Sequence, residues 1–340
     1  MRTTAFSAGA MLACLSGLAI GGDGGGTGLF QEISLTAQTQ DQLVVHFDGR
    51  RGVTVENGGV VSWAGLDGNG AQIALATVAG AGAATNITHT GTAVMFTESV
   101  ASEDLHLQTQ LTHAGGGSWT IFFAGHFDSS NPNGAQNAGM YVYNLVNAPN
   151  GANGLNLQRD DVTGGFVAEI YASAGTTPYG RIEQYDDIHT VFRSEHTATP
   201  QQSRLRANGA IVGIPRATGW TVVEDPTLIL GAFDNGTTFD GSGYTFLGEM
   251  THLIVFEGTL CAGDIEAIET FLGAASAPGC PGDASADGAV DFDDLNLVLS
   301  GFGALAGTDA YFPPLDLNGN CAVDFGDLNE VLGAFGTSCD

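Results

Sequence analysis

Residues 246–272 read F-L-G-E-M-T-H-L-I-V-F-E-G-T-L-C-A-G-D-I-E-A-I-E-T-F-L. The run Phe246–Phe256 is rich in β-branched and aromatic side chains and predicts a strand. Beyond it the period changes. Ile265–Leu272 places apolar side chains at helical spacing and predicts a short helix, with Asp264 in the N-cap position. Upstream, β-prone runs separated by Gly, Asn and Asp turns recur at Leu43–Phe47, Trp119–Phe127, Met140–Leu145, Phe166–Ile170, Ile188–Arg193 and Leu228–Phe233. Many short strands bounded by turn residues predict a mainly β fold, a two-sheet antiparallel sandwich or jelly roll over 42–273 with a helix where the domain closes.

The chain of 340 residues has room for about two domains. Its net charge is −28, and the nine basic residues are all Arg. Such a surface repels phosphate backbones and anionic headgroups, so nucleic-acid and membrane-surface partners are disfavoured. Met1 and Arg2 precede an uncharged stretch, Ala5–Ile20, then Gly21, Gly22 and Asp23. This pattern predicts a secretory signal peptide over 1–22 and no transmembrane segment. Met11-Leu12-Ala13-Cys14 loosely resembles a lipoprotein cleavage box. Residues 23–41 read as a flexible lead-in and 274–282 as a linker.

Beyond the linker, 283–294 read D-A-S-A-D-G-A-V-D-F-D-D, and 316–327 repeat the design as D-L-N-G-N-C-A-V-D-F-G-D. Oxygen side chains fall at loop positions 1, 3, 5, 9 and 12: Asp283, Ser285, Asp287, Asp291 and Asp294, then Asp316, Asn318, Asn320, Asp324 and Asp327. With the backbone carbonyls of Ala289 and Ala322 at position 7, this spacing suits a hard cation that takes six to eight oxygens, and it predicts two Ca2+ sites. Ser285 leaves loop one with four carboxylates and loop two with three, so their affinities should differ. Cys321 stands at position 6, where Gly ordinarily supplies a positive φ, which makes loop two the doubtful site. A disulfide from Cys321 would offset that strain. Phe292–Phe302 and Phe325–Phe335 follow the loops with helical spacing, Leu295, Val298, Leu299 and Phe302 matching Leu328, Val331, Leu332 and Phe335 as one apolar face per repeat.

Without the signal, Cys261, Cys280, Cys321 and Cys339 remain, an even number that suggests disulfides in an exported chain; Cys280 and Cys339 bracket the repeat. Trp63, Trp119 and Trp220 are of a type that stacks on sugar rings, though Trp119 leads an alternating strand and reads as core. His113, His126, His189 and His196 lack metal-ligand spacing, and Asp160-Asp161 and Asp186-Asp187 read as turn carboxylates. No strand carries the paired carboxylates of a jelly-roll glycosidase, and the Ser elbow, Walker loop and H-E-x-x-H are absent, so no catalytic residue is assigned.

Two stretches reach known families. Ser203–Val212, S-R-L-R-A-N-G-A-I-V, resembles the Asn-Gly hairpin of LamG-like, concanavalin A-like jelly rolls, and Phe246–Leu272 resembles their closing strand and helix. That resemblance implies a scaffold that often binds sugars or proteins. The segment 283–340, with Asp at position 12 and an apolar run only after each loop, resembles a type I dockerin of the kind carried by modular exported bacterial proteins. It implies calcium-dependent attachment to a cohesin-like or other surface protein, with loop positions 10 and 11 (Phe292 and Asp293, Phe325 and Gly326) helping to select the partner. The expectation is a secreted or cell-surface bacterial protein, its jelly roll taking a glycan or protein ligand. A polysaccharide hydrolase or lyase and a structural surface-layer component are the alternatives.

Overall fold

A computed structural model describes residues 32–78, 87–97, 106–112, 117–128, 140–146, 154–160, 165–172, 175–183, 188–198, 201–217, 224–231, 246–273, 281–285, 287–308 and 310–338. Residues 1–22, read from sequence as a signal peptide, and His113, Asp161, Asp186, Asp187, Trp220, Cys280, Cys339 and most of the 274–282 stretch lie outside them. In chain order the elements are α1 (Ala37–Asp41), β1 (Leu43–Asp48), β2 (Val53–Glu56), β3 (Gly59–Leu66), β4 (Gln72–Val78), β5 (Ile87–His89), β6 (Val94–Phe96), β7 (His106–Gln110), β8 (Trp119–Phe127), β9 (Met140–Val146), β10 (Gly154–Asp160), β11 (Gly165–Ala172), β12 (Gly175–Glu183), β13 (Thr190–Ala198), β14 (Gln201–Ala207), β15 (Ala210–Ala217), β16 (Thr227–Leu230), β17 (Gly248–Glu257), α2 (Ala262–Phe271), α3 (Phe292–Ser300) and α4 (Phe325–Ala334).

The strand pairings are antiparallel and fall into two layers. One runs β1–β17–β8–β13–β14–β15, with β6 beside the start of β17 and β5 beside β6. The other runs β2–β3–β4–β7–β16–β9–β10–β11–β12. A single pair, His46 with Leu66, joins β1 to β3. Asn208 and Gly209 turn β14 into β15 with φ of 48° and 80°, both left-handed, as a two-residue hairpin turn demands.

Side-chain alternation fills the space between the layers with Val45, Phe47, Trp63, Leu107, Trp119, Ile121, Phe123, Phe192, Leu228 and Leu253. Fully burying each such side chain contributes roughly 1.5–3 kcal/mol. Strand β8 is buried at eight of its nine residues, so its outer face is covered too. Phe122, Ala124, Ile254 and Phe256 pack there against Ile265, Ile268 and Leu272 of the α2 segment. That helix begins earlier than its sequence suggests. Cys261, not Asp264, occupies the N-cap, because Asp264 turns its carboxylate to Thr36, accepting from Oγ1 at 2.5 Å and from the backbone N–H at 3.1 Å. Residues 32–41, read from sequence as part of a flexible lead-in, are instead held here: Leu35 is buried beside α2, and α1 is capped by Thr36.

The tail forms two loop–helix repeats. Asp291 and Asp324 cap α3 and α4, and the position 12 carboxylates Asp294 and Asp327 complete a capping box in each. Val290, Val298, Tyr311, Leu315, Val323 and Val331 form the small core. The apolar face expected for each repeat is split. Val298 and Val331 are buried, whereas Leu299, Phe302, Leu332 and Phe335 are exposed, because the second helix covers only one side of the first.

Candidate functional site

Both loops share one hydrogen-bond scaffold. At position 1, Asp283 accepts from the N–H groups of Asp287 at 3.2 Å and Gly288 at 3.0 Å, and Asp316 from those of Asn320 and Cys321, each at 2.9 Å. At position 5, Asp287 and Asn320 accept from the N–H of Ala289 and Ala322, each at 2.9 Å. At position 12, Asp294 accepts from Ser285 at 2.9 Å and Asp291 at 2.8 Å, and Asp327 from Asn318 at 3.1 Å and Asp324 at 2.7 Å. At position 9, Asp291 and Asp324 accept from Asp293 at 2.8 Å and Gly326 at 2.6 Å. Backbone N–H groups thus orient each carboxylate while leaving it further acceptor capacity. Burial pushes the Asp294 carboxyl up, but the Asp291 and Ser285 N–H groups outweigh it and hold the group below the usual carboxylate range. Asp316 goes the other way, raised mainly by burial. Carboxylate, amide and hydroxyl oxygens, with Asp294, Asp316 and Asp327 buried, in a segment with no basic residue from 280 onward, make a donor set that fits Ca2+.

Loop two is joined to the sandwich. Cys321, at φ 72°, forms a disulfide with Cys261, the N-cap residue of α2. The Tyr311 hydroxyl donates to Asp316 Oδ2 at 2.6 Å and accepts from the N–H of Ala262 at 3.1 Å. The Arg204 guanidinium lies 3.4 Å from the centre of the Phe312 ring. Between the two modules opens a cleft of about 690 Å³ lined by Gln38, Asp41, Gln42, Glu257, Thr259 and Thr308. In the tail, Phe292 and Phe325 at loop position 10 are 67% and 70% exposed and pair edge-on with Phe335 and Phe302.

A third cluster escaped the sequence reading. His46 and Asp48, two apart on β1, point to the outer face, and His252 on β17 is the cross-strand partner of Asp48. His46 Nε2 and His252 Nδ1 are 3.1 Å apart, and His252 Nδ1 lies 4.0 Å from Asp48 Oδ1. Among the described residues this is the one set of three such groups whose donor atoms all fall within 4.8 Å of one another. Burial, then His252, pushes His46 down to about 3, and burial pushes His252 down to about 4, so both rings are neutral at pH 7. Burial acts to raise Asp48, but its hydrogen bonds from Arg50 prevail and hold it low. The histidines lie 206 residues apart, and only the strand register brings them together.

The residues singled out from sequence fare differently. Trp63 and Trp119 are both fully buried, and Trp63 donates to the Asp48 carbonyl at 3.1 Å, so neither is a sugar platform. His126 pairs with Glu249, His189 bonds the Leu272 carbonyl, and buried His196 bonds Ser203 Oγ at 2.8 Å.

No protein-family model and no curated protein matches this chain. Among solved structures it is similar to the Ruminococcus gnavus IT-sialidase CBM40 bound to α2,3-sialyllactose, at 16% identity over 48% of this chain and 97% of that one, with a TM-score of 0.34. Domain 4 of AbnA, a GH43 extracellular arabinanase from Geobacillus stearothermophilus in complex with arabinotriose, shares 13% identity over 69% and 98% of the two chains, with a TM-score of 0.41. The botulinum neurotoxin serotype D binding domain shares 11% identity over 69% and 52%, with a TM-score of 0.45.

Proposed function

We propose that this chain is an exported two-module binding protein whose tail, folded on two calcium ions, attaches it to a partner while the sandwich holds a glycan. The observation that carries the reading is the matched scaffold of the two loops, with oxygen donors at the same positions and the same backbone N–H groups orienting them. Bound calcium would supply positive charge to each acidic loop, and oxygens of Asp283, Asp287, Asp294, Asp316, Asn320 and Asp327 would be among those that coordinate it. The exposed Phe292 and Phe325 stand at the positions that face a partner in the dockerin-like reading, and their apolar exposure on an acidic module supports that reading.

The glycan is assigned to the cleft between the modules, where the amide of Gln38, the hydroxyls of Thr259 and Thr308 and the carboxylates of Asp41 and Glu257 match a polyhydroxylated ligand. A glycan array on the full chain, with and without calcium, tests it. Retention weakened by Asp41→Ala is expected; retention indifferent to that change places the ligand elsewhere, and release of reducing sugar would make the protein an enzyme instead.

A further inference from the structure

We propose that His46, Asp48 and His252 form a site for a divalent transition-metal ion of the zinc class, separate from the calcium loops. Zinc binds imidazole nitrogen at about 2.0–2.1 Å, which sets neighbouring donors of a tetrahedron about 3.3 Å apart. The two ring nitrogens already stand 3.1 Å apart. Asp48 Oδ1, 4.0 Å from His252 Nδ1, needs to close by roughly 0.7 Å to reach that tetrahedral spacing. One of the facing nitrogens carries the proton of their hydrogen bond. On binding, that ring moves the proton to its other nitrogen, so both lone pairs face the ion and no proton is released.

The surroundings are those of a supported ligand set. Arg50 grips Asp48 with Nε on Oδ1 at 2.9 Å, Nη2 on Oδ2 at 2.7 Å and its backbone N–H on Oδ1 at 2.9 Å, and Arg50 is itself held by Glu32 at 2.8 Å. Arg51 also contacts both Glu32 and Asp48. Asp48 and Glu32 thus offset the two guanidinium charges, so the cation meets no net positive ring. Outer hydrogen bonds of this kind fix ligand orientation in metal sites. Phe271, the last residue of α2, lies edge-on to both imidazoles, with ring centres 6.2 Å from His46 and 5.3 Å from His252, and shields the site from water. Two neutral nitrogens and one carboxylate select zinc, cobalt or nickel over calcium and magnesium, which want oxygen. Three protein ligands leave a fourth position, reached past His252, the least buried of the three.

The test uses the tag-free full chain saturated with calcium, titrated with Co2+ and then Zn2+. One equivalent of Co2+ should give the intense visible band of a low-coordinate ion, displaced by zinc. His46→Ala and His252→Ala should abolish it, and Arg50→Ala should weaken zinc binding about tenfold. X-ray absorption at the zinc edge of the unaltered chain should show two imidazole nitrogens, a readout independent of whether any variant folds. Absence of the band, a band unchanged in both histidine variants, or an oxygen-only shell at the zinc edge would each overturn the site.

Discussion

Loop one and loop two carry one motif in two settings. Loop one has Gly288 at position 6 with φ 89°, and among the described residues its position 1 carboxylate, Asp283, is met by groups of its own loop. Loop two has Cys321 at φ 72°, covalently tied to Cys261, with Asp316 buried under Tyr311. A left-handed backbone that costs an L-residue on the order of 1–2 kcal/mol is maintained by a cross-link into the neighbouring module. The residue that looks like a defect in the motif is the one that fixes the tail to the sandwich, so loop two is the anchor between the modules.

Calcium removal tests that contrast most severely. Each ion at a thousandfold excess over its dissociation constant stabilises by about 4 kcal/mol. In EGTA, hydrogen exchange on the full chain should show α3 losing protection before α4, whose loop the disulfide still constrains; equal loss in both helices would erase the distinction. Cys261→Ser comes next. Opening a cross-link across 60 residues should cost about 4 kcal/mol in a denaturant titration and lower calcium affinity at loop two while sparing loop one. Tyr311→Phe removes one charge-assisted hydrogen bond from Asp316 and should cost about 1–2 kcal/mol, again confined by calorimetry to one of two calcium events. Phe292→Ala and Phe325→Ala should shift stability by less than about 0.5 kcal/mol each, yet weaken capture of the attachment partner; full capture in the double variant would remove the exposed rings from the interface.

Much of this was legible in the chain. The alternation in Trp119–Phe127, the Asn208-Gly209 turn and the doubled D-x-[SN]-x-[DN] spacing are local signals, and each survives in the structure because local backbone geometry suffices to produce it. Asp264 misled because its best acceptor role lies with Thr36, 228 residues away. Leu299 and Leu332 misled because helical spacing says which side chains share a face, not whether a neighbour covers it.

The sequence by itself determined the short strands, the closing helix and the two oxygen-rich loops, all features whose period or turn chemistry is written within a dozen residues. Only the tertiary structure decided that Cys321 joins Cys261, that 32–41 belong to the sandwich, and that His46 and Asp48 meet His252. Those depend on strand register and on the packing of α2 over the outer face, and contacts between residues 60 to 228 apart leave no periodic trace in a single chain.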